Sequence, residues 1–206
     1  MYALVESGSI TRIFNNPKGF VLNNIQYPAD ILYKWTKSEK EAIGIYEVTT
    51  DSTNYKDEKW YINTNESYAF SNGKVTRSWG TAIAKAHADI LWTEQDKTDD
   101  KIPEGKDVGD VAVEWFKTIL IRTLKAQAAG ELKNTDWYVI RKADAGTAVP
   151  SSITTHRAAV RTKCAEMETA ITNAADTPAL ETLYTYTEQE DGSVTRPLGE
   201  LPTLEG

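Results

Sequence analysis

The residue types that do most enzyme chemistry are few in this chain and widely spaced. Its histidines, His87 and His156, lie far apart, and its single cysteine is Cys164. Zinc sites need closely set Cys and His ligands, and this spacing predicts no transition-metal site. Cys164 has only His156, two helical turns back, as a potential base; it reads as a small core hydrophobe, with a thiolate nucleophile as the rival. Glu188, Glu190 and Asp191 could offer oxygens to calcium, but they lack the alternating acidic ladder of an EF-hand and fit a charged hairpin turn. The sequence has no Gly-rich phosphate cradle and no Gly-x-Ser-x-Gly elbow. Asp57 and Glu58 beside Trp60 could form paired carboxylates for glycoside cleavage, or a charged turn entering a half-buried strand. Trp60, Tyr61, Trp79 and Trp92 extend that rival to carbohydrate binding, which needs exposed rings. None of these patterns implies a cofactor or a metal, and the chain reads as non-enzymatic.

One constellation is harder to assign to bland packing: Leu132-Lys133-Asn134-Thr135-Asp136-Trp137-Tyr138, followed after an interval by His156-Arg157-Ala158-Ala159-Val160-Arg161. Thr135 and Asp136 can cap a turn, and Trp137 can fill a gap between two long helices. Arg157 and Arg161, at i and i+4, can both reach back to Asp136. The spacing predicts a helical hairpin with a pinned elbow.

Two helices must carry that elbow. Asp110 is a candidate N-cap for a helix running to Ala129, with Gly130 at C′. Phe116, Leu120 and Leu124 form one apolar stripe on it, and Ala112, Trp115 and Ile119 a second beside it. So wide a face predicts burial against more than one neighbour, either within the chain or across an oligomer seam. The second helix starts after Pro150, capped by Ser151 or Ser152, and runs to about Ala175. Ile153, Val160, Cys164, Met167 and Ile171 lie along one side of it.

The preceding half reads as β. Tyr2–Glu6 and Ser9–Phe14 flank a Ser7-Gly8 turn, and Ile45–Thr50 is a strand. Pro28-Ala29-Asp30 opens a short helix, and Ser38 with Glu41 matches a capping box. The alternation from Trp60 to Glu66 and the run Lys74–Ala84 suggest a hairpin about Asn72-Gly73, where both residues accept positive φ. Asp191-Gly192 predicts a terminal hairpin between the Leu180–Gln189 run and Val194–Arg196, with the last ten residues extended. The stretch 94–109 is polar and has almost nothing to bury. The predicted organisation is therefore α+β: a β-rich domain over 1–93, a polar linker over 94–109, and a helical hairpin module with a terminal β-hairpin over 110–206.

At 206 residues the chain is long enough for a core without disulfides, and one cysteine cannot form an internal bridge. Lys+Arg 23 against Asp+Glu 30 leaves a net charge of −7, which repels phosphate backbones and anionic lipid. Neither nucleic acid nor membrane is expected as a partner. No apolar run approaches the ~18–20 residues of a membrane span, and no basic-then-apolar leader opens the sequence.

The constellation resembles the C-terminal module of the tail assembly chaperones and tail-fibre assembly proteins of tailed bacteriophages. That module carries Leu-x-x-Thr-Asp-Trp followed by an aromatic-Arg-x-x-apolar-Arg helix. The matching positions are Leu132, Thr135, Asp136 and Trp137, then Arg157, Val160 and Arg161, with His156 where the family usually has Tyr or Trp. The match covers about a fifth of the chain, and the opening Met1-Tyr2-Ala3-Leu4-Val5-Glu6 is similar in style to the same proteins and to tail proteins of marine phages. The resemblance implies a protein that binds other tail or tail-fibre proteins, in a homo-oligomer or hetero-complex. It would be retained in the virion tail or act as a chaperone in the host cytoplasm during assembly. Partner-binding or structural roles then fall to Thr135, Asp136, Trp137, Arg157 and Arg161, and to Trp115, Phe116, Ile119 and Leu120.

Overall fold

The computed structural model describes residues 1–204 and divides the chain into two compact units, Met1–Ala84 and Lys85 onward. The predicted α+β class holds: strands dominate the first unit and helices the second.

In the first unit, β1 (Tyr2–Glu6) and β2 (Ser9–Phe14) form the predicted hairpin, turning at Ser7 and Gly8, both with positive φ. β3 (Phe20–Leu22) and β4 (Ile25–Tyr27) pair with each other. The short helix α1 (Ile31–Lys34) follows Pro28. The capping box of α2 (Lys37–Ala42) is made by Thr36 and Glu39, not by Ser38 and Glu41. Thr36 Oγ1 accepts from the Glu39 N–H at 3.3 Å, and Glu39 accepts from the Thr36 N–H at 2.7 Å. Trp35 is held against Tyr27 in the core, so the chain is still extended at Thr36 and already helical at Ser38.

β5 (Ile45–Thr50) joins β1 antiparallel. After β6 (Tyr61–Ile62), β7 (Ser67–Ser71) and β8 (Lys74–Ser78) form the hairpin about Asn72-Gly73, whose φ values are 52° and 69°. Its first strand is Ser67–Ser71 rather than the run from Trp60. The backbone turns left-handed at Asn65, and Tyr61–Ile62 pairs with β9 (Ile83–Ala84). β5 and β8 run parallel, which closes the sheet in the order β2-β1-β5-β8-β7. The inner strand β1 is covered on both faces. Leu4 packs with Phe14, Phe20, Leu32 and Ile45, whereas Ala3 and Val5 pack with Val75. Each such Leu or Ile contributes about 1.5–3 kcal/mol by burial.

In the second unit β10 (Ile90–Leu91) is followed by α3 (Glu94–Thr98), capped by Thr93 and Asp96. β11 (Val111–Val113) returns to pair with β10. The polar stretch 94–109 thus lies inside this unit as an excursion between two paired strands, and the division of the chain falls at Ala84/Lys85 instead. The pairing also moves the start of the next helix. α4 spans Phe116–Lys133, and Asp110 turns its carboxylate to the Asp107 N–H at 2.9 Å. α4 then runs through Gly130, which is helical and not a stop.

α5 (Asp136–Ala145) ends at Gly146 in a left-handed cap with φ 69°. α6 (Ser151–Asn173) follows Pro150, with no side-chain cap from either serine. α7 (Thr177–Tyr184) takes the first part of the Tyr- and Thr-rich segment because Asp176 caps it and Pro178 suits its first turn. The terminal hairpin is correspondingly short: β12 (Thr187–Glu188) with β13 (Val194–Thr195). The final stretch does not simply extend: Leu198 is buried and its N–H donates to Leu183 O at 3.1 Å. Within the expected extended tail, Glu205 and Gly206 lie outside the described residues.

α4 and α6 are antiparallel, as three contacts along them require: Lys117 with Thr172, Lys125 with Glu168, and Leu132 with Arg157. Leu124, Ala128, Ile153, Val160, Met167 and Ile171 are their buried apolar residues, and His156 and Arg157 are buried with them on α6. No helix among the described residues is long and apolar enough to cross a membrane.

Candidate functional site

The predicted elbow exists, and a single arginine holds it. Arg157 sits on the core side of α6, only 8% exposed. Its Nη1 donates to Leu132 O, the carbonyl at the end of α4, and to Thr135 Oγ1, each at 2.7 Å. Its Nη2 lies 2.8 Å from Asp136 Oδ1. One guanidinium therefore ties the last turn of α4, the α4–α5 junction and the first turn of α5 to α6. The planar fork suits three acceptors fanned across a bend, which a lysine could not match. Thr135 is buried and does not cap α5. Its hydroxyl donates back to Leu132 O at 2.9 Å while accepting from Arg157. Asp136, in the first turn of α5, also favours the positive end of that helix.

Two members of the constellation depart from expectation. Arg161 does not reach Asp136; its Nη1 makes only a long 3.5 Å contact with Arg157 O. Trp137 does not fill the gap between the long helices. It is 50% exposed on α5, with its ring centroid 3.9 Å from that of Tyr138 and the Arg141 guanidinium 4.7 Å from its own. The site that Trp137 was expected to occupy is filled by Thr135 and Arg157, a polar junction in place of an apolar plug.

α5 itself has no buried residue, yet it displays Trp137, Val139 and Ile140 to solvent. A helix of ten residues is marginal in isolation, and apolar packing normally supplies what propensity does not. Here the Arg157 clamp supplies the attachment and leaves the apolar surface outward.

The other predicted partner residues lie at the opposite end of α4, about 25 Å away at 1.5 Å rise per residue. Trp115 is the N-cap residue of α4, half-buried like Phe116 and Leu120, and only Ile119 is exposed. The wide apolar stripe is thus largely covered within the unit. That helix start is organised by a residue with no local sequence signal, Asp89. Its two carboxylate oxygens accept from the Trp115 N–H at 2.7 Å and the Thr118 hydroxyl at 2.6 Å.

A second concave region lies in the first unit, a cleft of about 320 Å³ lined by Tyr55, Glu58, Asn63, Glu66, Arg77 and Trp79 with Thr50 and Ser52. The Tyr68 hydroxyl, then Arg77, hold the Glu66 carboxyl below the usual range. Tyr55 donates to Glu58 at 2.7 Å, which pushes its own phenol up. Trp60, Tyr61 and Trp79 are buried, so three of the four rings expected to offer a sugar platform are turned inward, and Trp92 is half-buried. Asp57 accepts from the Lys59 N–H at 2.8 Å in a charged turn. Cys164 is half-buried; desolvation, then the Glu168 carboxylate, push its thiol up, and Lys125 offsets this in part. Among the described residues no group of three or more His, Cys, Asp and Glu is arranged to hold a metal ion.

Comparisons with protein-family models, with curated proteins and with solved structures found no match.

Proposed function

We propose that this chain is a non-enzymatic tail protein of a tailed bacteriophage, whose helical unit binds another tail or tail-fibre protein. The observation that carries this reading is α5, a helix without a buried residue that is clamped by Arg157 and presents Trp137, Val139 and Ile140 outward. Solvent-facing large apolar residues on a rigidly attached helix favour burial against another protein. The same elbow residues, Thr135, Asp136 and Arg157, carry the resemblance to the tail assembly chaperones, which favours a tail or fibre subunit as that protein. The chain either remains in the virion tail as a structural component or leaves after acting as a chaperone in the host cytoplasm. A homo-oligomer or a hetero-complex satisfies the exposed face equally well.

Co-expression with the proteins of neighbouring tail genes, followed by affinity purification, tests the reading. Stable co-purification that Ile140→Asp abolishes is expected. A wild-type chain that elutes alone as a monomer in the presence of every such protein overturns it. Mass spectrometry of purified virions then separates the two roles, since a component gives its peptides at fixed copy number and a chaperone gives none.

The carbohydrate reading is less favoured because Trp60, Tyr61 and Trp79 are buried, and the thiol reading because burial and the Glu168 carboxylate push the Cys164 thiol up, away from a thiolate.

A further inference from the structure

α5 and α6 diverge from the clamp and leave a groove of about 330 Å³ between them. The segment joining the helices crosses beneath it after the left-handed turn at Gly146. Its lining combines Val139, Ala148 and Val149 with three cations, Lys142, Arg157 and Arg161, and includes no carboxylate. In a chain of net charge −7 that is a local inversion of sign. Arg157 is neutralised by Asp136, but among the described residues neither Lys142 nor Arg161 is ion-paired. Thr154, Arg157 and Arg161 share one side of α6 at helical spacing, so the positive charges follow the groove. The walls are fixed in advance, because Arg157 ties α5 to α6.

We infer that this groove receives an extended, acidic segment of the partner tail protein, with carboxylates on Lys142 and Arg161 and an apolar side chain on Val139, Ala148 and Val149. The inference rests on the protein-binding reading above and adds the chemistry of the partner. A void at the lower end of ligand-pocket sizes accepts a peptide side chain and its backbone, not a folded surface. The apolar floor selects a peptide over a phosphate backbone, which would meet cations but leave that floor wet. Arginine and lysine on the rim would raise the association rate and set register, whereas the floor would set the lifetime of the complex.

The test uses the full chain and a fluorescein-labelled nonapeptide alternating glutamate and leucine, read by fluorescence anisotropy. Binding that weakens with salt is expected, with little binding of the matching lysine–leucine peptide. The double variant K142E/R161E leaves the clamp intact, so its circular dichroism should match the wild type. It should lose the acidic peptide at least tenfold and gain the basic one. Val139→Ser should weaken the acidic peptide at least threefold. Equal or tighter binding of a single-stranded oligothymidylate of the same charge would overturn the inference in favour of nucleic acid. Self-association of the wild-type chain that the double variant abolishes would overturn it in favour of a second copy.

Co-purification separates this inference from its parent. A partner retained by the wild type and lost by K142E/R161E supports the groove. A partner retained by both refutes the groove but leaves the protein-binding reading intact, and a wild-type chain that holds no partner refutes both.

Discussion

Removing the Arg157 side chain tests the elbow most directly. Two of its hydrogen bonds, to Leu132 O and Thr135 Oγ1, are short and charge-assisted, a class that contributes about 1.5–3 kcal/mol each. The ion pair with Asp136 adds less than about 1 kcal/mol, because that carboxylate side chain is 51% exposed and screened by water. Arg157→Ala does not leave Leu132 O orphaned, since the Thr135 hydroxyl and the Thr135 N–H both still donate to it. The cost therefore falls at the lower end of the summed range, about 3 kcal/mol, including the packing of the buried stem. It falls on α5 above all, which has no buried residue to hold it once the clamp is gone. At tenfold per 1.4 kcal/mol, backbone amides of 137–145 should exchange with deuterium roughly a hundredfold faster. Mass spectrometry of deuterated peptides reads this segment by segment, with 1–84 as the internal control. Arg161→Ala, which loses only one 3.5 Å contact, should change exchange in α5 less than about threefold. A similarly small response to Arg157→Ala, or one spread equally over the first unit, would refute the clamp as the attachment of α5.

The two glycines Gly44 and Gly130 should respond to alanine with opposite sign. Gly44 has φ +80°, and a Cβ there would meet Val5 O at 2.6 Å, so Gly44→Ala should lower the urea midpoint of the first unit by the equivalent of about 2–3 kcal/mol. Gly130 lies inside α4 with open space beside it, so Gly130→Ala should raise the stability of the second unit by about 0.5–1 kcal/mol in the same assay. Glu66 is held below its ordinary value of 4.5, so its stabilising contribution is complete above that pH and lost as the pH falls through the depressed value. Glu66→Gln should flatten the acid side of the stability profile of the first unit; an unchanged profile would assign acid sensitivity elsewhere. Cys164, its thiol raised by burial and by Glu168, should react with iodoacetamide at neutral pH at least tenfold more slowly than free cysteine, and Glu168→Gln should speed it.

The parts of the fold legible in the sequence are those set by nearby residues. Ser7-Gly8 and Asn72-Gly73 specify tight turns through their tolerance of positive φ, and both hairpins form there. The apolar stripe from Ile153 to Ile171 specifies α6, apart from a difference of two residues at its end. What escaped reading depends on distant partners. The parallel pairing of Val48 with Val75 and the antiparallel pairing of Ile90 with Val113 leave no mark in either segment alone. The second of these draws Val111–Val113 into a strand and shortens α4 at its start, where Asp89 replaces the local cap at Asp110. Gly130 fails to stop α4 because Arg157, Thr135 and Leu132 fix the helix end three residues further on. At the elbow, Thr135, Asp136 and Arg157 were legible as a set because Thr, Asp and Arg have complementary donors and acceptors. The exposure of Trp137 is not legible, because an aromatic residue between polar neighbours gives no sign of which side the helix turns to water.

The excursion between β10 and β11 offers a place to label this protein in any assembly that it joins. Its two ends are zipped together, with the Trp92 N–H donating to Asp110 O and the Gly109 N–H to Trp92 O, both at 2.9 Å. Gly105 sits at its outer reach with φ +80° and nothing within 4 Å of where a side chain would begin. A short epitope spliced in beside Glu104 lengthens a loop that is already closed, which costs little chain entropy and disturbs neither the strands nor the helices. Antibody or gold labelling at that point would mark each copy individually, so that electron microscopy could count the copies and, under the proposed function, look for them on a phage tail.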